Sequence, residues 1–310
     1  MLTTTAAGLG ALAGPARAAD VAPEVPALSP AQRDWLARQR LIRWLPERDY
    51  APFVSVGPDG QARGLSVEIL MRIGQRLGLP LQPLPARPLR ELLVLAQHRQ
   101  GDLLTSLRAT PERSAYLLFT RPYVSVPTVL VARRPAEGRP SRMGLGDLAG
   151  RPVAVGSGFA VEATVRAAYP AVEWRGVPSD QDGLAGVAAG RFGAAVVDAA
   201  SAAHLMARSD LRGLAAVGDI GYRYELSFAV RSDWPVLREI LDLGIAALPR
   251  ADLLALRQHW LTALPEDADA GLTPLASGLG LALLAAGGLG AAGLAWRRRR
   301  AMVAGHGHGG

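Results

Sequence analysis

From Leu41 onward, short apolar runs of strand length alternate with longer runs of helical periodicity, and the alternation starts over after one polar loop. "LIRWLP" reads as a strand, and "GLSVEILMRIGQRLGLP" puts Leu65, Ile69, Ile73 and Leu77 on one helical face before a Gly-Leu-Pro stop. "PLRELLVLAQHRQG" is a second helix with Leu89, Leu92, Leu93 and Ala96 inward, and "DLLTSL" is a strand. After "EGRPSRMG" the pattern resumes: strand "RPVAVGSG", helix "FAVEATVRAAYP", strand "VEWRGVP", helix "DQDGLAGVAAG" and strand "FGAAVVDAA". "YELSFAV" is a further strand, and "WPVLREILDLGIAAL" and "ADLLALRQHWL" are terminal helices. Such alternation predicts βαβ units and mostly parallel pairing. The restart predicts two sheets, with a ligand site in the cleft where the strands' carboxyl ends meet.

The chain has 310 residues and 49% hydrophobic content, enough for two compact units. Its formal charge is +7, but Arg297 to Arg300 supply four of those charges in one run, so no clustered basic face points to nucleic acid. All the basic residues are Arg, which excludes a Schiff-base or P-loop lysine. Without Cys there is no disulfide, thiolate nucleophile or Cys-ligated metal. No cofactor or metal site is expected.

The ends carry topology. Residues 1–18 give a short apolar run and an Ala16-Arg17-Ala18 cleavage pattern without a basic n-region, which reads as a signal peptide; Pro-rich residues 19–39 read as a linker. Leu275 to Trp296 is uncharged and long enough to cross a hydrocarbon core of roughly 30 Å. The arginines that follow predict a short cytoplasmic tail over 297–310, with Trp296 at the interface and the folded part outside the inner membrane.

The candidate site begins at "TSLRATPERSAYLLFTRPY". Thr110-Pro111-Glu112-Arg113 has the form of a helix start, which puts the permanently charged Arg113 beside loose N–H groups. A cation there is unfavourable unless an anion is near, so a ligand anion is one reading and an internal acid partner is the other. Thr105 and Ser106 end the preceding strand. Gly156-Ser157-Gly158, ahead of the helix from Phe159, is a second possible anion cradle. Asp198 ends an apolar strand, where it can accept from an ammonium or cap the next helix. Tyr50 and Phe53, after the first strand, are either an apolar wall of the site or core.

Residues 40–262 resemble the family-3 periplasmic solute-binding proteins, the polar amino-acid type of Venus-flytrap domain. The resemblance rests on "YAPFVSVGPDGQARGLSVEIL", "QGDLLTSLRATPERSAYLLFTRPYVSVPTVLV", "LGDLAGRPVAVGSG", "AGRFGAAVVDAASAAHLM" and "LSFAVRSDWPVL", with T-P-x-R plus F-x-x-P-Y the specific combination. It implies an α/β, two-lobe type II periplasmic-binding-protein fold. Lobe 1 would comprise 40–128 and 226–262 and lobe 2 129–225, with crossovers near 124–132 and 220–228 and hinge closure on a ligand. It also implies that Arg113 holds a ligand carboxylate, Asp198 an ammonium, and Ser106 donates a hydrogen bond. Arg108 stands where amino-acid binders carry a small hydroxyl residue, and Phe159-Ala160 replace carboxylate-donating Thr residues. These departures leave room for a bulkier or more acidic ligand held by Arg108 as well.

A flytrap domain followed by a membrane helix resembles the input half of sensor histidine kinases. No kinase follows, which predicts a truncated gene or an anchored, non-enzymatic binder of an amino acid or carboxylate that acts through a signalling partner. Delivery to an ABC permease is the alternative. A periplasmic dehydratase on the same fold, with Glu162 or Glu225 as its acid, is a third reading.

Overall fold

A computed structural model describes residues 26–134, 142–148, 150–207 and 209–261. All of them belong to the first of two compact units, Met1–Leu264. The expected signal peptide 1–18, membrane span 275–296 and tail 297–310 lie outside the described residues. Among the described residues no helix is long and apolar enough to cross a membrane.

Residues read as the end of a linker form helix α1 (Pro30–Arg38). "SPAQ" is a capping box: Ser29 Oγ accepts from Gln32 N at 3.2 Å, Gln32 Oε1 accepts from Ser29 N at 3.0 Å, and Pro30 occupies the first turn. Trp35 then stands edge-on to Trp234, 5.3 Å between ring centres.

The first lobe runs from β1 (Ile42–Leu45) through a small antiparallel sheet of β2 (Asp49–Tyr50), β3 (Val54–Val56) and β4 (Ala62–Arg63). Helix α2 (Leu65–Leu77), β5 (Leu81–Pro83), α3 (Leu89–Gln97), β6 (Leu103–Leu107), the single-turn α4 (Pro111–Ser114) and β7 (Leu117–Phe119) follow. Strand β1 pairs in parallel with β5 and β6, Ile42 opposite Leu81 and Trp44 opposite Leu103. Helix α2 buries Leu65, Ile69, Leu70, Ile73 and Leu77 against the sheet, each worth about 1.5–3 kcal/mol of apolar transfer. It can start only at glycine: Gly64 has φ 136°, and a Cβ there would lie 2.3 Å from the Phe53 carbonyl oxygen.

The second lobe contains β8 (Val124–Arg133), β9 (Val153–Gly156), α5 (Ala160–Ala168), β10 (Trp174–Val177), α6 (Asp180–Ala188), β11 (Ala194–Asp198), α7 (Ala199–Met206) and much of β12 (Leu214–Arg231). Helices α8 (Pro235–Ala246) and α9 (Arg250–Trp260) return to the first lobe, where both pack on α2. Strand β9 is parallel to β10 and β11, whereas β8 and β12 run antiparallel to their neighbours.

The expectation of two separate sheets does not hold. A single hydrogen-bonded path, β10-β9-β11-β8-β12-β6-β1-β5, crosses the molecule, with β7 also on β12. The reason is the length of β12, 18 residues, of which only "YELSFAV" was read as strand. It pairs with β8 over Leu214 to Leu226, then with β6 and β7 from Ser227 to Arg231. Register shifts between Ala216 and Gly218 and between Asp219 and Arg223 let it bend from one lobe into the other. The expected crossovers near 124–132 and 220–228 fall in β8 and β12.

Candidate functional site

The carboxyl ends of β1 and β6, the turn before α5 and the middle of β12 enclose a cavity of about 20 Å³, space for about one water. Its walls include Glu47, Tyr50, Ser106, Arg108, Arg113, Phe159, Ala160 and Tyr224. Leu89, Leu107 and Leu226 complete the lining, so the lobes meet around a mixed interior in which apolar side chains surround Arg113 and Glu47. Tyr50 from the first lobe and Phe159 from the second approach to 6.3 Å between ring centres, a contact that closes one side.

Arg113 is 4% exposed. Thr110 caps its turn as expected, Oγ1 accepting from Arg113 N at 3.2 Å. The helix is only one turn long, so the dipole argument from sequence carries little weight. The guanidinium instead donates from Nη1 to Arg108 O at 2.9 Å and from Nη2 to Gly158 O at 2.8 Å, tying the two lobes together. Burial pushes its pKa down, and Tyr116 and Glu47 oppose that shift. Arg108 also crosses the cleft: Nη1 donates to Arg223 O at 2.7 Å, and the guanidinium lies 3.9 Å from the Tyr222 ring centre.

The Gly156–Gly158 turn is not an anion cradle. Ser157 N donates to Val177 O at 2.8 Å, Gly158 N to Glu162 Oε2 at 2.8 Å and Phe159 N to Gly156 O at 3.1 Å. At Gly158 the cleft is met by the carbonyl, through Arg113. Glu162 also binds Arg166, and Glu225 is exposed on β12, so neither carboxyl singled out for dehydratase chemistry lines the cavity.

Asp198 is the N-cap of α7, its Oδ1 accepting from Ser201 N at 2.8 Å. Its Oδ2 is buried with no hydrogen-bond partner among the described residues, as are Tyr50 OH, Ser106 Oγ and Thr105 Oγ1. Burial pushes the Asp198 carboxyl up to about 6; hydrogen bonds from Ser201 and Ala200 hold it down in part. Phe53 is fully buried against Tyr50, 5.0 Å between ring centres, and belongs to the core rather than the cavity wall.

Sequence reasoning missed two acids. Glu47 lines the cavity, and burial pushes its carboxyl up to about 8 while Arg113 draws it down. Asp180, the first residue of α6, is buried and held well above its ordinary value by burial and by Asp198 and Glu47. The rule that ligands meet strand carboxyl ends applies to Glu47, two residues beyond β1. Glu47 shares the cavity with Arg113, whereas Asp180 and Asp198 lie outside its lining and interact with Glu47 electrostatically.

Comparison with known proteins bears on both fold and site. Over 233 residues, 73% of the chain, the sequence is 31% identical to the virulence sensor protein BvgS of Bordetella bronchiseptica, and the match spans 18% of that protein's length. The periplasmic VFT2 domain of Bordetella pertussis BvgS superposes with a TM-score of 0.69 at 23% identity, covering 76% of this chain and 99% of that one. The arginine-bound form of a truncated ArgBP from T. maritima superposes at 0.60 with 24% identity, over 70% of this chain and 100% of that one. These structural likenesses speak for a mixed α/β, two-lobe fold. Residues 42–263 match the family profile, and the chain belongs to the bacterial extracellular solute-binding proteins, family 3.

Proposed function

We propose that this domain is the extracytoplasmic input of a membrane-anchored signalling protein, and that its lobes close on a small amino acid carrying a second cationic group. The observation that carries the ligand class is Glu47, a buried carboxyl facing the same cavity as Arg113. In this reading Asp198 Oδ2 and Tyr50 OH take the α-ammonium, Arg113 takes the carboxylate, and Glu47 takes the cationic side chain. The two carbonyl bonds of Arg113 are exchangeable, since a carboxylate offers the same donors a stronger, charge-assisted, bidentate acceptor. A purely anionic ligand would meet the Glu47 carboxyl in the same cavity.

With a cavity of about 20 Å³ between them, the lobes part to admit an amino acid and close again around it. Ligand shifts that equilibrium only through its better fit to one state. The sensor role is supported by the likeness to BvgS, and the anchor by the uncharged run Leu275 to Trp296 with its arginines.

Thermal unfolding of the full-length chain against amino acids with cationic, neutral and acidic side chains tests the ligand class. At about 100 times its dissociation constant a true ligand adds roughly 2.7 kcal/mol. A shift confined to the cationic members is expected. A shift with dicarboxylates alone would overturn the assignment of Glu47, and an unchanged lobe separation in solution scattering with a bound ligand would overturn the closure mechanism.

A further inference from the structure

Ser106 combines three properties. It lines the cavity, its Oγ is buried without a hydrogen-bond partner among the described residues, and it is a non-glycine residue at φ 54°. A left-handed conformation in a side-chain-bearing residue persists only where its surroundings enforce it. Here the enforcing contact is Tyr123, at the foot of β8, whose hydroxyl accepts from Ser106 N at 3.0 Å and donates to Ser66 Oγ at 2.7 Å. The Tyr123 ring is fixed by Phe228, 4.7 Å between centres. Burial raises its pKa to about 12, so it remains a neutral donor.

From Ser66 the path continues along α2. Glu68, one turn into that helix, accepts from Trp260 Nε1 at 2.9 Å at the last turn of α9. Arg72 pairs with Asp252 at 3.2 Å, and Arg257 Nη2 donates to the Tyr123 carbonyl at 3.2 Å. The hydroxyl of Tyr123 thus faces the cleft residue and its carbonyl faces the terminal helix.

We propose that Tyr123 is the positioning residue that couples Ser106 in the cleft to helix α9, so that the state of the cleft is felt at the end of the folded domain. The coupling is a property of the folded chain and does not depend on which ligand binds. A ligand that engages Ser106 Oγ would pull on a main chain whose amide is anchored to the same hydroxyl that holds α2, and α2 carries α9.

Coupling between two sites is reciprocal, which gives a test from both ends. Amide hydrogen exchange is followed in the full-length chain and in Tyr123→Phe, which keeps the ring and removes the hydroxyl. Faster exchange at Ser106 and across residues 250–260, about fivefold for one lost buried hydrogen bond, is the expected result. In Trp260→Phe, which perturbs only the far end, Ser106 should also exchange faster. A Tyr123→Phe effect confined to Ser106 and the start of α2, or a Trp260→Phe effect confined to α9, overturns the proposal. Should Tyr123→Phe fail to fold, the Trp260→Phe arm alone decides it.

Discussion

Two groups of buried carboxyls in this molecule are treated in opposite ways. Asp102, between β1 and β12, accepts from Arg43 N, Nε and Nη2 and from Arg231 Nη1 at 2.9 to 3.0 Å. Burial works against its charge, but the arginines hold its pKa below the ordinary carboxylate value. Glu47, Asp180 and Asp198 are as deeply buried, and burial raises their values; Arg113 donates to main-chain carbonyls rather than to any of them. A finished shell of donors marks a carboxylate that holds the fold together. Buried carboxyls without such a shell, of which Glu47 lines the cavity and Asp198 keeps only its helix cap, leave acceptors for a donor from outside.

The largest effect should come from removing the finished shell. Asp102→Asn leaves Arg43 and Arg231 with a neutral acceptor in place of the charge they share; breaking a buried pair from one side costs about 3–5 kcal/mol, and less here because the Arg43 side chain is 38% exposed. Urea unfolding at pH 7 measures it. Because the folded pKa of Asp102 is lowered, its contribution is complete above the unfolded value of about 3.9 and is lost as pH falls through the folded one. A loss below about 1 kcal/mol would place Asp102 among ordinary surface ion pairs and erase the contrast.

Arg113→Ala should act on binding and much less on folding. Removing one partner of a buried, hydrogen-bonded charge pair costs about 2–5 kcal/mol of affinity, whereas the two carbonyls it leaves face a cavity that can open to water. Calorimetric titration with the ligand found in the thermal panel, alongside an unfolding curve, separates the two. Equal losses in both would return Arg113 to a structural role.

How much of this could be read from the sequence follows from where each signal resides. Periodicity located α2 and α3, and the alternation of segments located α5, α6, α8 and α9, whereas the start of α7 reads as a turn after β11. The length of β12 was not legible: Gly218, Asp219 and Gly221 read as a break, and only pairing across two lobes makes them strand. Arg113, Ser106 and Asp198 stand out in the sequence because they sit at strand ends or helix starts, and of the three Arg113 and Ser106 line the cavity. Glu47 was passed over because Pro46-Glu47-Arg48 reads as an exposed polar turn, whereas in the fold Glu47 is buried. The engaged amides around Gly158 were hidden for a related reason, since Glu162 folds back on the turn that precedes its own helix.

Glu47 gives the third test, of opposite sign to Asp102. Its folded pKa is raised from 4.5 to about 8, so the closed form is most stable below pH 4.5 and is weakened as pH rises toward 8. Arg113, Asp49 and Asp198 are the charged groups acting on it. One such group can change stability by at most about 1.4 kcal/mol per pH unit, and opening of the cleft relieves part of that. Unfolding midpoints between pH 5 and 8 should fall in the wild-type chain and fall less steeply in Glu47→Gln, where the slope that remains comes from Asp180 and Asp198. Identical slopes in the two would sink the assignment.

The smallest effect expected is at Arg108, which also crosses the cleft but does so at a half-exposed position. Its guanidinium gains from the Tyr222 face and from the Arg223 carbonyl, and a cation over an aromatic ring near solvent is worth about 0.5–1 kcal/mol. Arg108→Lys keeps the charge while losing the planar stack. If Arg108 only latches the lobes, the substitution should loosen closure slightly in scattering and leave the preference among ligands unchanged. If Arg108 grips a ligand, as its place in the sequence first suggested, the same substitution would change that preference while the shape of the free protein stayed the same.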